Sequence, residues 1–327
     1  MNVLLASPSR RHWLLAAACG ALGRPAFAQA PAGKPLRLIV PFTPGGSTDI
    51  LARAIAPKLQ LALGQTVVID NKPGAGGSLG AAEAARAEPD GHTLLMGHIG
   101  TLAVNPAIYP KLAYDPLKSF APVAWVARVP NVLVVNANSP HRTFKAFLDH
   151  ARANPGRLTY SSGGNGSAAH ITFEYLKLTA KVFMLHIPYR GAAPAVADVI
   201  AGQVDSIFTG APALLPHVKS GRLRALAVSS RERLPSLPDV PTVAESFPGF
   251  EADQWYGVVA PAGTPAERVQ RLNAEINRAL ALPEVQQQLA TEGAVPAPTT
   301  PQAFGALIAR EIPRWAGVAR AGRVKPD

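Results

Sequence analysis

Cysteine is almost missing from this chain. Cys19 is the only one in 327 residues, and it falls within an N-terminal apolar stretch that reads as a removable leader. A mature chain without it has no disulfide, no thiol nucleophile and no thiolate-held metal. Charge is sparse as well: 16% of residues are Asp, Glu, Lys or Arg against 48% hydrophobic, a balance that suits a well-cored globular protein and excludes a disordered one. Past the leader no apolar run reaches membrane-spanning length. H-E-x-x-H and G-x-x-x-x-G-K-[ST] do not occur, and no Cys/His spacing suits a metal, so neither metal nor cofactor is expected.

The leader itself has a readable grammar. Arg10 and Arg11 precede an acid-free apolar stretch that ends at Ala26-Phe27-Ala28, an A-x-A cleavage pattern. Residues 1–28 are therefore expected to be a signal peptide and the mature protein to be periplasmic. The paired arginines resemble a twin-arginine signal, and an ordinary Sec signal is the alternative route. Cys19 lacks the upstream leucine of a lipoprotein site. Removing 1–28 takes away Arg10, Arg11 and Arg24 and lowers the formal charge from +11 to +8. That excess steers anions. The basic residues are scattered, without an aromatic-interleaved stripe, so no nucleic-acid partner is expected.

Two stretches repeat one device about 120 residues apart: LRLIVPFTPGGSTDILARAI at 36–55 and RLTYSSGGNGSAAHITFEYL at 157–176. Each is a short apolar strand, a loop of Gly and Ser/Thr, and a helix. The first turn of such a helix presents unpaired backbone N–H groups together with the positive end of the helix dipole. Two such tips suggest two lobes that grip one small anion.

The surrounding pattern is βαβ in both places. Strands are expected at 36–40, 67–70 and 93–96 with helices at 49–63 and 77–87. Strands are expected again at 158–161, 182–187 and 204–208 with helices at 168–179 and 193–201. Between the repeats, 121–136 reads as two extended pieces joined at Arg128-Val129-Pro130, a crossing between lobes. Residues 251–260 read as a second crossing, and three helices that begin at or near Pro265, Pro283 and Pro301 return to the first lobe. The expected class is α/β, each lobe a mostly parallel sheet flanked by helices. The domains would be 29–125 plus 252–327 for lobe one and 126–251 for lobe two.

The chain resembles the periplasmic receptors of tripartite tricarboxylate transporters, the Bug family. The resemblance is carried, in order, by Pro44-Gly45-Gly46-Ser47-Thr48-Asp49, Asn71-Lys72-Pro73-Gly74-Ala75-Gly76-Gly77, Asn105-Pro106, Ser162-Gly163-Gly164-Asn165-Gly166-Ser167, Pro188-Tyr189-Arg190-Gly191, Gly202-Gln203-Val204-Asp205 and Trp255-Tyr256-Gly257. It implies a two-lobed periplasmic-binding-protein (Venus flytrap) fold, type II-like, that captures a small organic acid, acts as a monomer and delivers its ligand to two membrane permease subunits. Carried over, the carboxylate would meet Gly45, Gly46, Ser47 and Thr48 in one lobe and Ser162, Gly163, Asn165, Gly166 and Ser167 in the other. His98 departs from the small or hydroxylic residue usual in the family.

Residue by residue, several readings stay open. Gly45 and Gly46 let backbone approach a ligand. Asp49 either accepts from a ligand amine or serves as a first-turn dipole partner or cap. Ser47, Thr48 and Ser167 are divided between capping and ligand contact. Gly76, Gly77 and Ser78 read as donors on a cleft wall; the G-x-G-x-x-G spacing fails because Leu79 stands where the third Gly belongs. Arg190, after Tyr189, is either a fork for a distal carboxylate or a rim arginine. Asp205 is a structural acid or a ligand contact. His98 is a donor or a satisfied buried imidazole, His170 a packing or positioning residue, and Trp255 with Tyr256 an apolar lid or core. Phe42 and Thr101, near Gly45 and His98, complete the candidate ligand set. No enzyme is expected, since a serine in a glycine loop is no nucleophile without a base. A periplasmic hydrolase or transferase on an anionic substrate and a ligand-sensing signalling partner are the alternatives.

Overall fold

Alternation along single strands divides the core. In β1 (Leu36–Val40), Leu36, Leu38 and Val40 face one apolar cluster while Ile39 faces another, as expected of a strand covered on both faces. The computed structural model describes residues 33–326, so the predicted leader lies outside it. From β1 the chain runs through α1 (Ser47–Leu63), β2 (Val67–Asn71), α2 (Ser78–Ala85) and β3 (Thr93–His98). After β4 (Phe120–Val129), β5 (Asn131–Asn136) and α3 (Phe144–Ala153) the pattern recurs. There follow β6 (Thr159–Ser162), α4 (Ala168–Ala180), β7 (Leu185–Pro188), α5 (Ala192–Ile200), β8 (Ser206–Gly210) and β9 (Leu223–Val228). The chain ends with β10 (Gln254–Pro261), α6 (Ala266–Ala281), α7 (Pro283–Thr291), β11 (Val295–Pro296) and α8 (Pro301–Ala321).

These strands form two sheets, β11-β4-β10-β3-β1-β2 and β7-β6-β8-β5-β9. The fold is α/β and two-lobed, but the sheets are mixed where mostly parallel ones were expected. Each has a parallel centre, β2-β1-β3 and β7-β6-β8. The crossing strands β4, β5 and β10 pair antiparallel. The reason is connective: β5 and β10 enter their sheets straight from the other sheet, with no helical crossover to turn them round, so they run against the βαβ strands beside them, and β4 pairs antiparallel because its neighbours are β10 and β11. Only Pro130 separates β4 of the first sheet from β5 of the second. The strand expected at 182–187 starts later, at Leu185. Lys181 adopts a left-handed conformation (φ 53°) and Val182 N donates back to Lys177 O at 3.1 Å, which finishes α4 first.

A buried polar knot ties the crossings together. Asn131 N donates to Ser229 Oγ at 2.8 Å, and its side-chain Nδ2 donates to Ala252 O at 2.5 Å and Thr172 Oγ1 at 3.1 Å. The Gln254 amide donates to Asn131 Oδ1, and Tyr256 OH donates to Gln254 Oε1. The crossing strands β5 and β10 thus share one network, which fixes how they pass between the sheets. Among the described residues no helix is long and apolar enough to cross a membrane.

Candidate ligand-binding cleft

At the first helix tip, Gly46 caps α1 in an extended conformation (φ −81°, ψ 165°) with no side-chain cap. The first amide to bond back is Ile50 N, to Gly46 O at 3.0 Å. The N–H groups of Ser47 and Thr48 therefore have no protein acceptor among the described residues. The loop before them is held by Asp49, whose Oδ2 accepts from Gly45 N at 3.0 Å and Arg53 Nε at 2.9 Å, and whose Oδ1 accepts from Asn71 Nδ2 at 3.1 Å. Burial opposes ionisation of this carboxyl, but the Arg53, Gly45 and Asn71 donors outweigh it and hold its pKa below the usual value. Asp49 is thus a loop clamp with both oxygens engaged.

The second tip reaches similar geometry with other groups. Ser167 caps α4, its Oγ accepting from His170 N at 3.4 Å, and Ile171 N bonds back to Ser167 O at 3.1 Å. Here Ala168 N and Ala169 N are left without acceptors. The loop is held by imidazole: Gly166 N donates to His170 Nδ1 at 3.2 Å, and Ser162 Oγ lies 2.6 Å from His186 Nε2. The two rings stack at 3.8 Å and 15°. Burial, with His186 and Lys177 nearby, pushes His170 down to about 2; burial and Lys177 push His186 down to about 4. Both rings are neutral near pH 7, as an acceptor role for His170 Nδ1 requires.

The two tips open on one narrow cleft, lined by Gly46, Ser47 and Thr48 from one side and Gly163, Ser167, Ala168 and Ala169 from the other. Phe42, His98, Ala192, Thr209, Gln254 and Tyr256 complete the wall. No Lys, Arg, Asp or Glu is among them, so the positive potential comes from backbone and helix ends alone. His98 is buried beside Phe42, with ring centroids 4.7 Å apart. Its Nδ1 accepts from Thr101 N at 3.2 Å, which places the proton of the neutral ring on Nε2. Burial pushes its pKa down to about 4, so the ring is neutral near pH 7.

The other candidate residues surround this cleft or leave it. Gly45 is exposed and outside the cleft lining, its N–H taken by Asp49. Thr101 steadies His98: its Oγ1 lies 3.1 Å from both the N and the O of His98. Ser162 is fully buried, which denies it a substrate despite its imidazole neighbour. Asn165 turns to the first lobe, its carbonyl accepting from Tyr109 OH at 3.2 Å. Gly166 packs there too, at φ 76°, where a Cβ would lie 2.3 Å from Ile108 Cδ1. Gly76 sits so close to Asn165 that a Cβ would be 2.1 Å from its carbonyl oxygen, and with Tyr189 and Arg190 it lines a neighbouring hollow. Gly77 packs against Phe42 and Thr101 instead of donating into the cleft. Ser78 opens α2, away from the cleft wall. Residues 76–80 also spell G-x-S-x-G, but Ser78 has no imidazole partner among the described residues. Asp205 is not in the cleft. It precedes β8 at the opposite end of the sheet, where Oδ2 accepts from Thr159 N and Thr159 Oγ1, both at 2.8 Å.

Sequence reasoning missed Ala168, Ala169, Ala192, Thr209 and Gln254. The first two were legible as the first helical turn after Ser167, where backbone rather than side chain matters. Trp255 is core: it meets Phe304 edge-on at 5.9 Å, and its Nε1 donates to Glu311 Oε2 at 3.3 Å. Tyr256, the other half of the expected lid, forms cleft wall.

A family model described as "Tripartite tricarboxylate transporter family receptor" matches residues 51–322. Among solved structures, the periplasmic binding protein BugD is 35% identical with a TM-score of 0.85, over 89% of this chain and 98% of its own. The Rhodopseudomonas palustris protein Rpa4515, solved with adipate, is 37% identical with a TM-score of 0.86, over 89% of this chain and 98% of its own. MatC from the same organism, solved with bound malate, is 36% identical with a TM-score of 0.83, over 87% of this chain and 98% of its own.

Proposed function

This chain belongs to the tripartite tricarboxylate transporter receptor family, and from that premise we propose that it captures a small organic carboxylate between its lobes and delivers it to two membrane permease subunits. The observation that carries the reading is the pair of amide-lined helix tips on one cleft wall with no charged side chain. Four backbone donors, on Ser47, Thr48, Ala168 and Ala169, equal in number the lone-pair sites of one carboxylate. Two come from each lobe, so the bound anion favours the closed state over an open one, and that difference drives closure. No bond need be made or broken.

The proposal extends to setting. BugD is a periplasmic binding protein, and this chain carries an expected leader at 1–28, so we place the mature protein in the periplasm as a monomer. Lobe one comprises 29–125 with 252–327 and lobe two 126–251, with 126–129 completing a first-sheet strand. Phe42 and His98 would frame the distal end of the ligand, as their place on the cleft wall supports. Gly76 and Arg190 would form its mouth. The related proteins solved with adipate and malate make dicarboxylates the first probes.

Native mass spectrometry of the purified protein, followed by thermal-shift titration with mono-, di- and tricarboxylates, tests this. A ligand at 100 times its Kd adds about 2.7 kcal/mol to the folded state, a shift of several degrees. Failure of every organic acid to raise Tm would overturn the receptor assignment. Recovery of a chemically altered ligand would favour an enzyme.

A further inference from the structure

A hollow of about 180 Å³ lies where the ends of β4 and β10 meet α8, several times the roughly 30 Å³ that one water occupies. It shares only Gln254 with the lining of the cleft. Asp253 lines it with a side chain 5% exposed. Its Oδ1 accepts from Ser229 Oγ at 2.7 Å, whereas the buried Oδ2 has no hydrogen-bond partner among the described residues. A carboxylate oxygen kept from water without a donor is costly. Arg128 comes nearest, with Nε 3.7 Å from Oδ2, too far for a hydrogen bond. One oxygen atom about 2.8 Å from each would fit over that gap, donating its hydrogen to Oδ2 and accepting from Nε.

The other charges on this lining leave a basic surplus. Glu251 is paired with Arg231 at 2.8 Å, and Glu311 accepts from Arg314 and from the indole N–H groups of Trp255 and Trp315. Arg310, one turn before Arg314 on the same face of α8, makes no ion pair or hydrogen bond among the described residues. Two uncommitted guanidinium groups, on Arg128 and Arg310, thus share the hollow with one unsatisfied carboxylate oxygen. A cation would satisfy the oxygen but meet the arginines, and no three metal-ligating side chains converge among the described residues. An anion that still carries a hydrogen answers both demands.

We propose that this hollow is a second binding site, separate from the cleft, for an inorganic oxyanion that keeps a proton near neutral pH, as hydrogen phosphate does. The P–OH group donates to Asp253 Oδ2, and the remaining oxygens accept from Arg128 and Arg310. Sulfate brings acceptors only and sets its lone pairs against the carboxylate. Ser229 Oγ, which donates to Asp253, also accepts from Asn131 N at 2.8 Å, so the ion rests on the knot that ties the crossings.

Isothermal titration of the purified protein with inorganic phosphate and with sulfate, at pH 7 and constant ionic strength, tests this. Phosphate is expected to bind at least about thirtyfold more tightly than sulfate. Arg310→Gln, a change at an exposed side chain, should weaken phosphate about tenfold. Asp253→Asn keeps an acceptor for Ser229 and puts an amide N–H where Oδ2 stood, so phosphate and sulfate should then bind within about threefold of each other. Burial, opposed by Ser229 and Arg128, pushes Asp253 up to about 6, so at pH 5 the wild-type carboxyl itself donates and the preference for phosphate should shrink. Sulfate matching phosphate in the wild type at pH 7 would overturn the proposal. Phosphate binding that neither variant changes would overturn it too, and would place the ion at the helix tips of the cleft. Absence of phosphate binding by the folded wild type would also overturn it. None of these results bears on the capture of an organic acid in the cleft.

Discussion

The two helix tips reach the same arrangement, a pair of free amides at the mouth of a loop, by unlike chemistry. The first is held by an ionised carboxylate: Asp49 gathers Gly45, Asn71 and Arg53. The second is held by neutral imidazoles, with His170 accepting from Gly166 N and His186 against Ser162. The first has a glycine cap with no side chain; the second has the Ser167 hydroxyl. Asp49 is held charged by its donors, whereas burial holds the imidazoles neutral, so on acidification stability is lost through protons that the unfolded chain accepts and His170 and His186 refuse. Two loops that look alike in composition should therefore fail under different conditions.

The largest expected effect comes from removing the anionic clamp. Asp49→Ala leaves the Gly45 amide without its acceptor and Asn71 Nδ2 with Phe42 O alone, at a site where Asp49 itself is almost fully buried. A cost of about 2–3 kcal/mol is expected, read as a lowered urea midpoint at unchanged m-value. The thermal shift with ligand should disappear as well, because the loop that aims Ser47 N and Thr48 N is released. Wild-type stability in this variant would show that the two tips are not held in the ways described.

Acid should then act mainly through buried imidazoles, two of which, His170 and His186, hold the second tip. His98, His170 and His186 are held at about 4, 2 and 4 in the folded chain against 6.5 unfolded. As pH falls through 6.5 the unfolded chain takes up protons that the folded one refuses, so stability is lost on acidification. Asp253 works the other way. Burial, opposed by Ser229 and Arg128, pushes it up to about 6 from 3.8, so its contribution grows as pH falls from 6 towards 4. Three imidazoles outweigh one carboxyl, and near pH 5 the net difference of about two protons gives a slope of about 2.7 kcal/mol per pH unit. Replacing His186 by Asn should flatten that slope by about one proton's worth; Asp49→Asn should leave it unchanged. Denaturation at a series of pH values separates the two tips.

The contrast also explains what could be read from sequence. Strand, glycine loop and helix recur in order, and backbone periodicity alone carries that signal, so both tips were legible. What holds each tip was not. Asp49 had two readings because an acid in a first turn suits either a cap or a ligand, and only the placement of Asn71 on the neighbouring strand decides between them. His186 is 24 residues from Ser162, and a parallel strand pairing brings them together. Thr209, Gln254 and Tyr256 reach the cleft from β8 and a crossing strand, and nothing local marks them. Asp205 takes the structural one of its two readings, because it stands at the amino end of β8, the end away from the glycine loops. Gly166 and Asn165 belong to the right loop but turn towards the first lobe, a direction set by His170.

A milder variant probes the caps. Ser167→Ala removes the hydroxyl that accepts from His170 N, with an expected loss of about 1 kcal/mol, typical of an N-cap. The equivalent change at the first tip, Gly46→Ala, removes no hydrogen bond, and its new Cβ would lie 3.6 Å from Ala192 Cβ, an ordinary contact. Thermal denaturation should thus show Ser167→Ala below Gly46→Ala. The reverse order would mean that the capping hydroxyl contributes little.

The smallest effect concerns the two arginines near the tips. Arg53 is neutralised by Asp49 at 2.9 Å. Arg190 is exposed beside the hollow formed with residues 73–76 and makes no ion pair among the described residues. A free cation at a cleft mouth acts over about a Debye length, roughly 8 Å at physiological ionic strength, so it raises the rate at which anions arrive more than it strengthens the final complex. Arg190→Gln is therefore expected to lower the association rate for a dicarboxylate by about two- to threefold at low salt. The difference should vanish near 0.5 M salt, where screening is nearly complete, with the dissociation rate unchanged throughout. Arg53→Gln should show no such salt dependence. A raised dissociation rate in Arg190→Gln, read by stopped-flow fluorescence, would instead place Arg190 in contact with the bound ligand and give the second lobe a charged group that the first lacks.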